Sequence, residues 1–147
     1  MASHSSALDT LIDLETSERD NAAQQLGKLR QTRQQSQKQL DMLLEYRSEY
    51  RQRLDDAMKN GISMNELQNY QSFIVSLDQA IEQQRHSLNS CDSHVSQGVR
   101  DWQHHQQRLN SYDVLATRRR EEADESARKQ EQHQSDEFAS RAVSQFG

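Results

Sequence analysis

Leu67-Gln68-Asn69-Tyr70-Gln71-Ser72-Phe73-Ile74-Val75-Ser76-Leu77-Asp78-Gln79-Ala80-Ile81 decides the fold. Leu67, Ile74 and Ile81 stand seven apart, and the column continues without a slip through Leu88, Val95, Trp102, Leu109, Ala116 and Ala123. A seven-residue apolar period is the seam of a coiled coil, because two turns of a slightly underwound helix return a side chain to the same face. The column three residues further on reads Tyr70, Leu77, Gln84, Cys91, Gly98, His105 and Tyr112, so the second seam position is mixed. Upstream the columns are weaker: Ile12, Arg19, Leu26, Arg33, Leu40, Arg47, Leu54, and Leu8, Glu15, Ala22, Leu29, Ser36, Leu43, Tyr50, Ala57. Arginine at alternate seam turns implies local looseness, or long stems that carry their charge out to water.

Composition agrees with a narrow seam. Of 147 residues only 32% are hydrophobic, too few for a globular core of that length. Disorder is disfavoured as well, because the formal charge is only −5, proline is absent and there are 4 glycines. The chain is instead rich in glutamine and charged residues, which lose little rotamer freedom in a helix. A sequence pI of about 5.6 argues against a general nucleic-acid or anionic-membrane surface. The one basic run, Arg118-Arg119-Arg120, is followed at once by Glu121 and Glu122 and reads as a charged helical face. No apolar run is long enough to span a bilayer, and Ser3, His4, Ser5 and Ser6 do not make a signal-peptide core. The single Cys91 fits a reducing compartment, and the expected location is the cytoplasm.

Between the two sets of columns lies Lys59-Asn60-Gly61-Ile62-Ser63-Met64-Asn65-Glu66. Gly61 suits the left-handed residue that closes a helix, and Ser63 with Glu66 forms a Ser-x-x-Glu capping box for the next one. A short connection makes two long helices antiparallel neighbours. The expected fold is therefore all-α, an antiparallel coiled-coil hairpin: a first helix at about 6–59 begun by Ser6 and Asp9, a turn at 60–63, a second helix at about 64–139 and a tail at 140–147. The seam is expected to rest on Leu26, Leu40, Leu54, Leu67, Ile74, Ile81, Leu88, Val95, Trp102 and Leu109. Gly27 and Gly98 inside the helices mark soft points or close helix approach.

Near the turn there is more apolar surface than one seam needs. Leu43, Tyr46 and Tyr50 follow an i, i+3, i+7 spacing, and Phe73, Leu77 and Ala80 an i, i+4, i+7 spacing, which suggests a second stripe on each helix. Such a stripe is a docking face, a widened core or a contact with a second copy of the chain. Chemistry has poor candidates. Cys91-x-x-His94, His104 and His105 do not supply the converging ligands that a zinc site needs, and Asp55 and Asp56 point different ways around a helix. No phosphate loop or Ser-His-Asp arrangement is present, so the chain reads as a non-enzyme with no metal, no catalytic residue and no cofactor. At the C-terminus, Phe138, Ala142 and Phe146 give a helical tail an apolar edge, either for binding or on a frayed end.

These residues together resemble the flagellar export protein FliJ family of the bacterial type III export apparatus. The likeness is carried by Ala7-Leu8-Asp9-Thr10-Leu11, by Gln39-Leu40-Asp41-Met42-Leu43-Leu44-Glu45-Tyr46 with Glu49-Tyr50-Arg51, by Asn69-Tyr70-Gln71-Ser72-Phe73-Ile74, by Ala80-Ile81-Glu82-Gln83, and by Asp136-Glu137-Phe138-Ala139 with Arg141-Ala142. The resemblance implies a two-helix antiparallel coiled coil that enters and stimulates a hexameric export ATPase. It also implies contact with the cytoplasmic domain of the membrane export gate protein, and escort of flagellar substrate chaperones. On that reading the chain meets the membrane only indirectly, at the inner-membrane face of the flagellar basal body. The gate-binding residues implied are Gln39, Leu43, Tyr46, Tyr50, Phe73, Leu77, Ala80 and Gln84, where the family's histidine is replaced by Gln84. Phe138, Ala142 and Phe146 are the candidate ATPase contacts. The rival reading is a self-associating structural coil with no ATPase contact, and an RNA-binding arm is disfavoured by the acidic pI.

Overall fold

A computed structural model describes the backbone of residues 2–146 and the side chains of residues 7–145. Its elements are two helices, α1 (Ala2–Asn60) and α2 (Met64–Phe146), joined by three residues. The fold is the antiparallel coiled-coil hairpin that the seven-residue columns imply. Both helices run further than their capping signals suggest. α1 begins upstream of Ser6, which therefore lies inside the helix, and α2 continues beyond Ala139 through the segment expected as a tail.

The turn is built by the residues that the sequence singles out. Gly61 has φ of 82°, the conformation that costs a Cβ-bearing residue most, and its N–H reaches the carbonyl of Met58 at 3.4 Å. Ser63 then starts α2: its Oγ accepts from the Glu66 N–H at 3.2 Å and its carbonyl from the Leu67 N–H at 3.0 Å.

The described chain divides into two compact units, one of residues 20–103 and one of residues 1–19 with 104–147. In the first unit Leu26, Leu40, Leu54, Ile74, Leu77 and Ile81 are buried, while Leu67, Leu88, Val95 and Trp102 are half-buried. Gly98 is a point of close approach, since a Cβ there would meet Leu29 Cδ1 at 3.1 Å and Leu26 Cδ1 at 3.3 Å; a Cβ on Gly27 would meet nothing within 4 Å. In the second unit Leu8 and Leu109 are buried together with the carboxylate of Glu15. Packing stops after Ala116: residues 117–141 are all exposed, Ala123 included, although it continues the numerical column. This stretch is held by its own backbone bonds and by pairs one turn apart, such as Glu125 with Lys129 at 3.6 Å and Glu137 with His133 at 3.5 Å. No helix of the described residues is long and apolar enough to cross a membrane.

The seam arginines are not loose. Arg33 pairs with Asp92 and Arg47 with Asp78, and Arg19 Nη1 lies 3.4 Å from Gln106 Oε1. The arginines are fourteen residues apart on α1 and their partners fourteen apart in the opposite sense on α2, as an antiparallel pair of heptad helices requires. Hydrogen bonding to Asp78, and then its charge, raises the pKa of the Arg47 guanidinium. Each stem therefore fills a seam turn while its charged end is held by the facing helix. A slip of one heptad would set Arg33 or Arg47 toward Arg85, so these pairs also oppose the wrong register.

Candidate docking face

Coiled-coil geometry divides the helix pair into two long edges. In an antiparallel pair one seam column and its outer flank on α1 share an edge with the corresponding positions on α2. The Arg33–Asp92 and Arg47–Asp78 pairs occupy one edge of the first unit. The other edge carries the columns Ser36, Leu43, Tyr50 and Tyr70, Leu77, Gln84, flanked by Gln39, Tyr46, Arg53 on α1 and Phe73, Ala80 on α2. All eight residues that the family resemblance implies for gate binding belong to this second edge.

They differ in how they sit on it. Leu77 is buried and Leu43, Tyr50 and Gln84 are half-buried, so these four are seam residues whose outer sides reach the surface, and Ala80 on the flank is half-buried as well. Gln39, Tyr46 and Phe73 are exposed, the two aromatics by 53% and 39%. The extra stripe expected on each helix is thus one seam column together with its exposed flank. It is wide because aromatics occupy both places.

The rings form a connected group. Tyr50 lies at its centre, 4.2 Å from Phe73, 6.0 Å from Tyr70 and stacked on Tyr46 at 6.1 Å, all between centroids. The Arg53 guanidinium lies over the Tyr50 ring at 5.5 Å. Contacts of this kind are worth about 0.5–1.5 kcal/mol each beyond area burial, which fixes the ring orientations before any partner arrives. Below the group Gln84 Nε2 donates to the Ser36 carbonyl at 3.0 Å and the Ser36 hydroxyl at 2.9 Å. Gln84 therefore ties the two helices together at the foot of the aromatic group. It supplies no titratable group there.

The C-terminal candidates are placed differently. Phe138 is 76% exposed and Ala142 is half-buried, whereas the side chain of Phe146 lies outside the described residues. In the same unit a groove of about 930 Å³ has Leu8, Ile12, Ala116 and Ala123 among its lining, with Arg119 and Glu122 beside them. Among the described residues no group of three or more His, Cys, Asp or Glu could hold a metal ion.

A cluster in this unit escapes column counting. Glu15 is buried, 6% exposed, with Oε1 2.6 Å from His105 Nδ1 and Oε2 3.8 Å from Arg108 Nε. Glu15 and His105 both occupy seam columns, so the signal was present; the partnership emerges only when the two columns are set antiparallel.

The family model described as "Flagellar FliJ protein" matches residues 4–146, nearly the whole chain. The chain belongs to the FliJ family. Its relatives include the "Flagellar FliJ protein" of Salmonella typhi, 42% identical over 143 residues, and that of Escherichia coli (strain K12), 40% identical over 143 residues. In each case the match covers 97% of this chain and 97% of the relative. A FliJ chain is a flagellar protein, and the family is one of export components, with roles in flagellum biogenesis and protein export, and is not a known family of enzymes.

Proposed function

We propose that this FliJ chain is a non-enzymatic stalk of the flagellar type III export apparatus, with a separate surface for each of two large partners. The aromatic edge around Tyr50 docks on the cytoplasmic domain of the export gate protein. The unit containing both termini inserts in the hexameric export ATPase and stimulates it. The same chain escorts and recycles flagellar substrate chaperones, and it is recruited from the cytoplasm to the inner-membrane face of the basal body through the gate, without touching lipid itself.

The observation that carries the reading is the asymmetry of the helix pair. One edge of residues 20–103 is closed by Arg–Asp pairs, while the other presents oriented, partly exposed aromatic rings, the composition of a protein-binding hot spot. The terminal unit supports the ATPase half of the proposal by its surface. Residues 117–141 are exposed and mixed in charge, a chemistry that lets a shaft lie in a ring without deep contacts locking one orientation. Phe138 adds an apolar contact near the end.

The test is the hydrolysis rate of the cognate export ATPase as the chain is titrated in. Faster turnover with ring formation is expected, and a chain cut after Glu131 should lose most of the stimulation. Unchanged stimulation by the shortened chain would remove Phe138 and Ala142 from the ATPase contact. No stimulation by the full chain, found as a dimer with its aromatics covered, would favour the self-associating coil.

A further inference from the structure

Arg53 continues the column Gln39, Tyr46 on the aromatic edge and lies one helical turn from Tyr50, toward Gly61. Its only described contact is the Tyr50 ring at 5.5 Å, and it forms no ion pair among the described residues. That sets it apart from Arg33 and Arg47, whose charges are spent on Asp92 and Asp78 across the opposite edge. Among Gln39, Leu43, Tyr46, Tyr50, Tyr70, Phe73, Leu77, Ala80 and Gln84 there is no charge; Glu66 continues the Phe73, Ala80 column toward the turn but forms no ion pair with Arg53 among the described residues, so Arg53 is the one cation standing with this set.

A guanidinium held over a ring by its charge leaves its N–H groups available to other acceptors. It is also weakly hydrated, so it can be taken from water at an interface at lower cost than an ammonium. From its place over the Tyr50 ring Arg53 can donate two parallel hydrogen bonds to a carboxylate on an incoming surface.

We infer that Arg53 is the specificity-determining charge of the docking edge, and that the partner surface covering the aromatic rings presents an Asp or Glu carboxylate to it. The inference rests on the docking reading above. It adds the partner's chemistry: an apolar depression for Tyr46 and Phe73 with an acidic residue on the side nearer the turn. Arg53 is a rim group here, so it acts on association rate and partner choice as well as on affinity.

The experiment measures binding of the purified cytoplasmic domain of the cognate export gate to the full chain and to Arg53→Ala, Arg53→Lys, Arg53→Glu and Tyr46→Ala, at about 50 and about 300 mM salt, where screening differs severalfold. Helix content and melting of each variant are recorded alongside. Arg53→Ala should bind about tenfold more weakly and Arg53→Glu about a hundredfold, with Arg53→Lys in between because it lacks the fork. Affinity of the unmodified chain should fall more steeply with salt than that of Arg53→Ala. If Tyr46→Ala weakens binding while Arg53→Glu binds like the unmodified chain, the carboxylate partner is wrong and the docking face stands. If Arg53→Ala lowers affinity with an unchanged salt slope, Arg53 only props the Tyr50 ring and the inference fails. If neither position matters, the docking face fails with it.

Discussion

Tyr46→Ala or Phe73→Ala should each weaken binding to the cytoplasmic domain of the export gate by about thirtyfold, the loss typical of an aromatic anchor at the centre of an interface. Tyr46 is 53% exposed and Phe73 39%, so neither is a pillar of the helix pair. Removing Tyr46 gives up its stacking on Tyr50 at 6.1 Å and should cost about 0.5 kcal/mol. Phe73→Ala costs somewhat more, about 1 kcal/mol, because it loses the 4.2 Å contact with Tyr50. Comparable apolar side chains elsewhere serve as controls. Met42 and Val75 are 66% and 55% exposed but lie off the aromatic edge, so Met42→Ala and Val75→Ala should stay within about twofold of the unmodified chain. Equal losses at all four positions, measured by titration calorimetry, would mean general adhesion through exposed apolar surface, and the edge would have no special standing.

The second large effect belongs to the terminal unit. His105→Leu should destabilise the pairing of residues 8–19 with α2 by about 2–3 kcal/mol, because it leaves the buried Glu15 carboxylate with only Arg108, at 3.8 Å. Amide exchange in that stretch of α1 should quicken by about thirtyfold or more. Exchange is the right readout, since a chain of two compact units need not melt in one step. The double variant Glu15→Leu, His105→Leu removes the charge together with its partner and should recover the protection, since apolar side chains in a seam pack well. A double variant as unprotected as the single one would show that the polar pair itself holds the helices together. No change in either would show that the seam at Leu8 and Leu109 carries the unit unaided.

The architecture is legible in the sequence because it rests on local rules. Heptad columns, a glycine able to take positive φ and a Ser-x-x-Glu cap each act within a few residues, so two helices and their turn follow without tertiary knowledge. The pairings are less accessible. Arg33 and Arg47 look like flaws in a column until the turn fixes which α2 residues face them; the fourteen-residue spacing of Asp78 and Asp92 was the available clue. The docking residues show the same limit. Sequence spacing finds Tyr46, Tyr50 and Phe73 as surplus apolar groups, yet it takes the antiparallel arrangement to put them on one edge with Gln84 and Arg53, and the ion pairs on the other. Column counting also carries the seam on to Ala123, where packing has stopped, because periodicity alone does not say where a partner helix ends.

The most direct measurement of the two-surface stalk is the mass of the complex formed when the full chain, the cognate export ATPase and the cytoplasmic domain of the export gate are combined. One particle containing all three is expected, with the gate domain lost and the ATPase retained when Tyr46 and Phe73 are replaced by alanine. Displacement of the ATPase by the gate domain, or retention of the gate domain by the doubly substituted chain, would contradict the account.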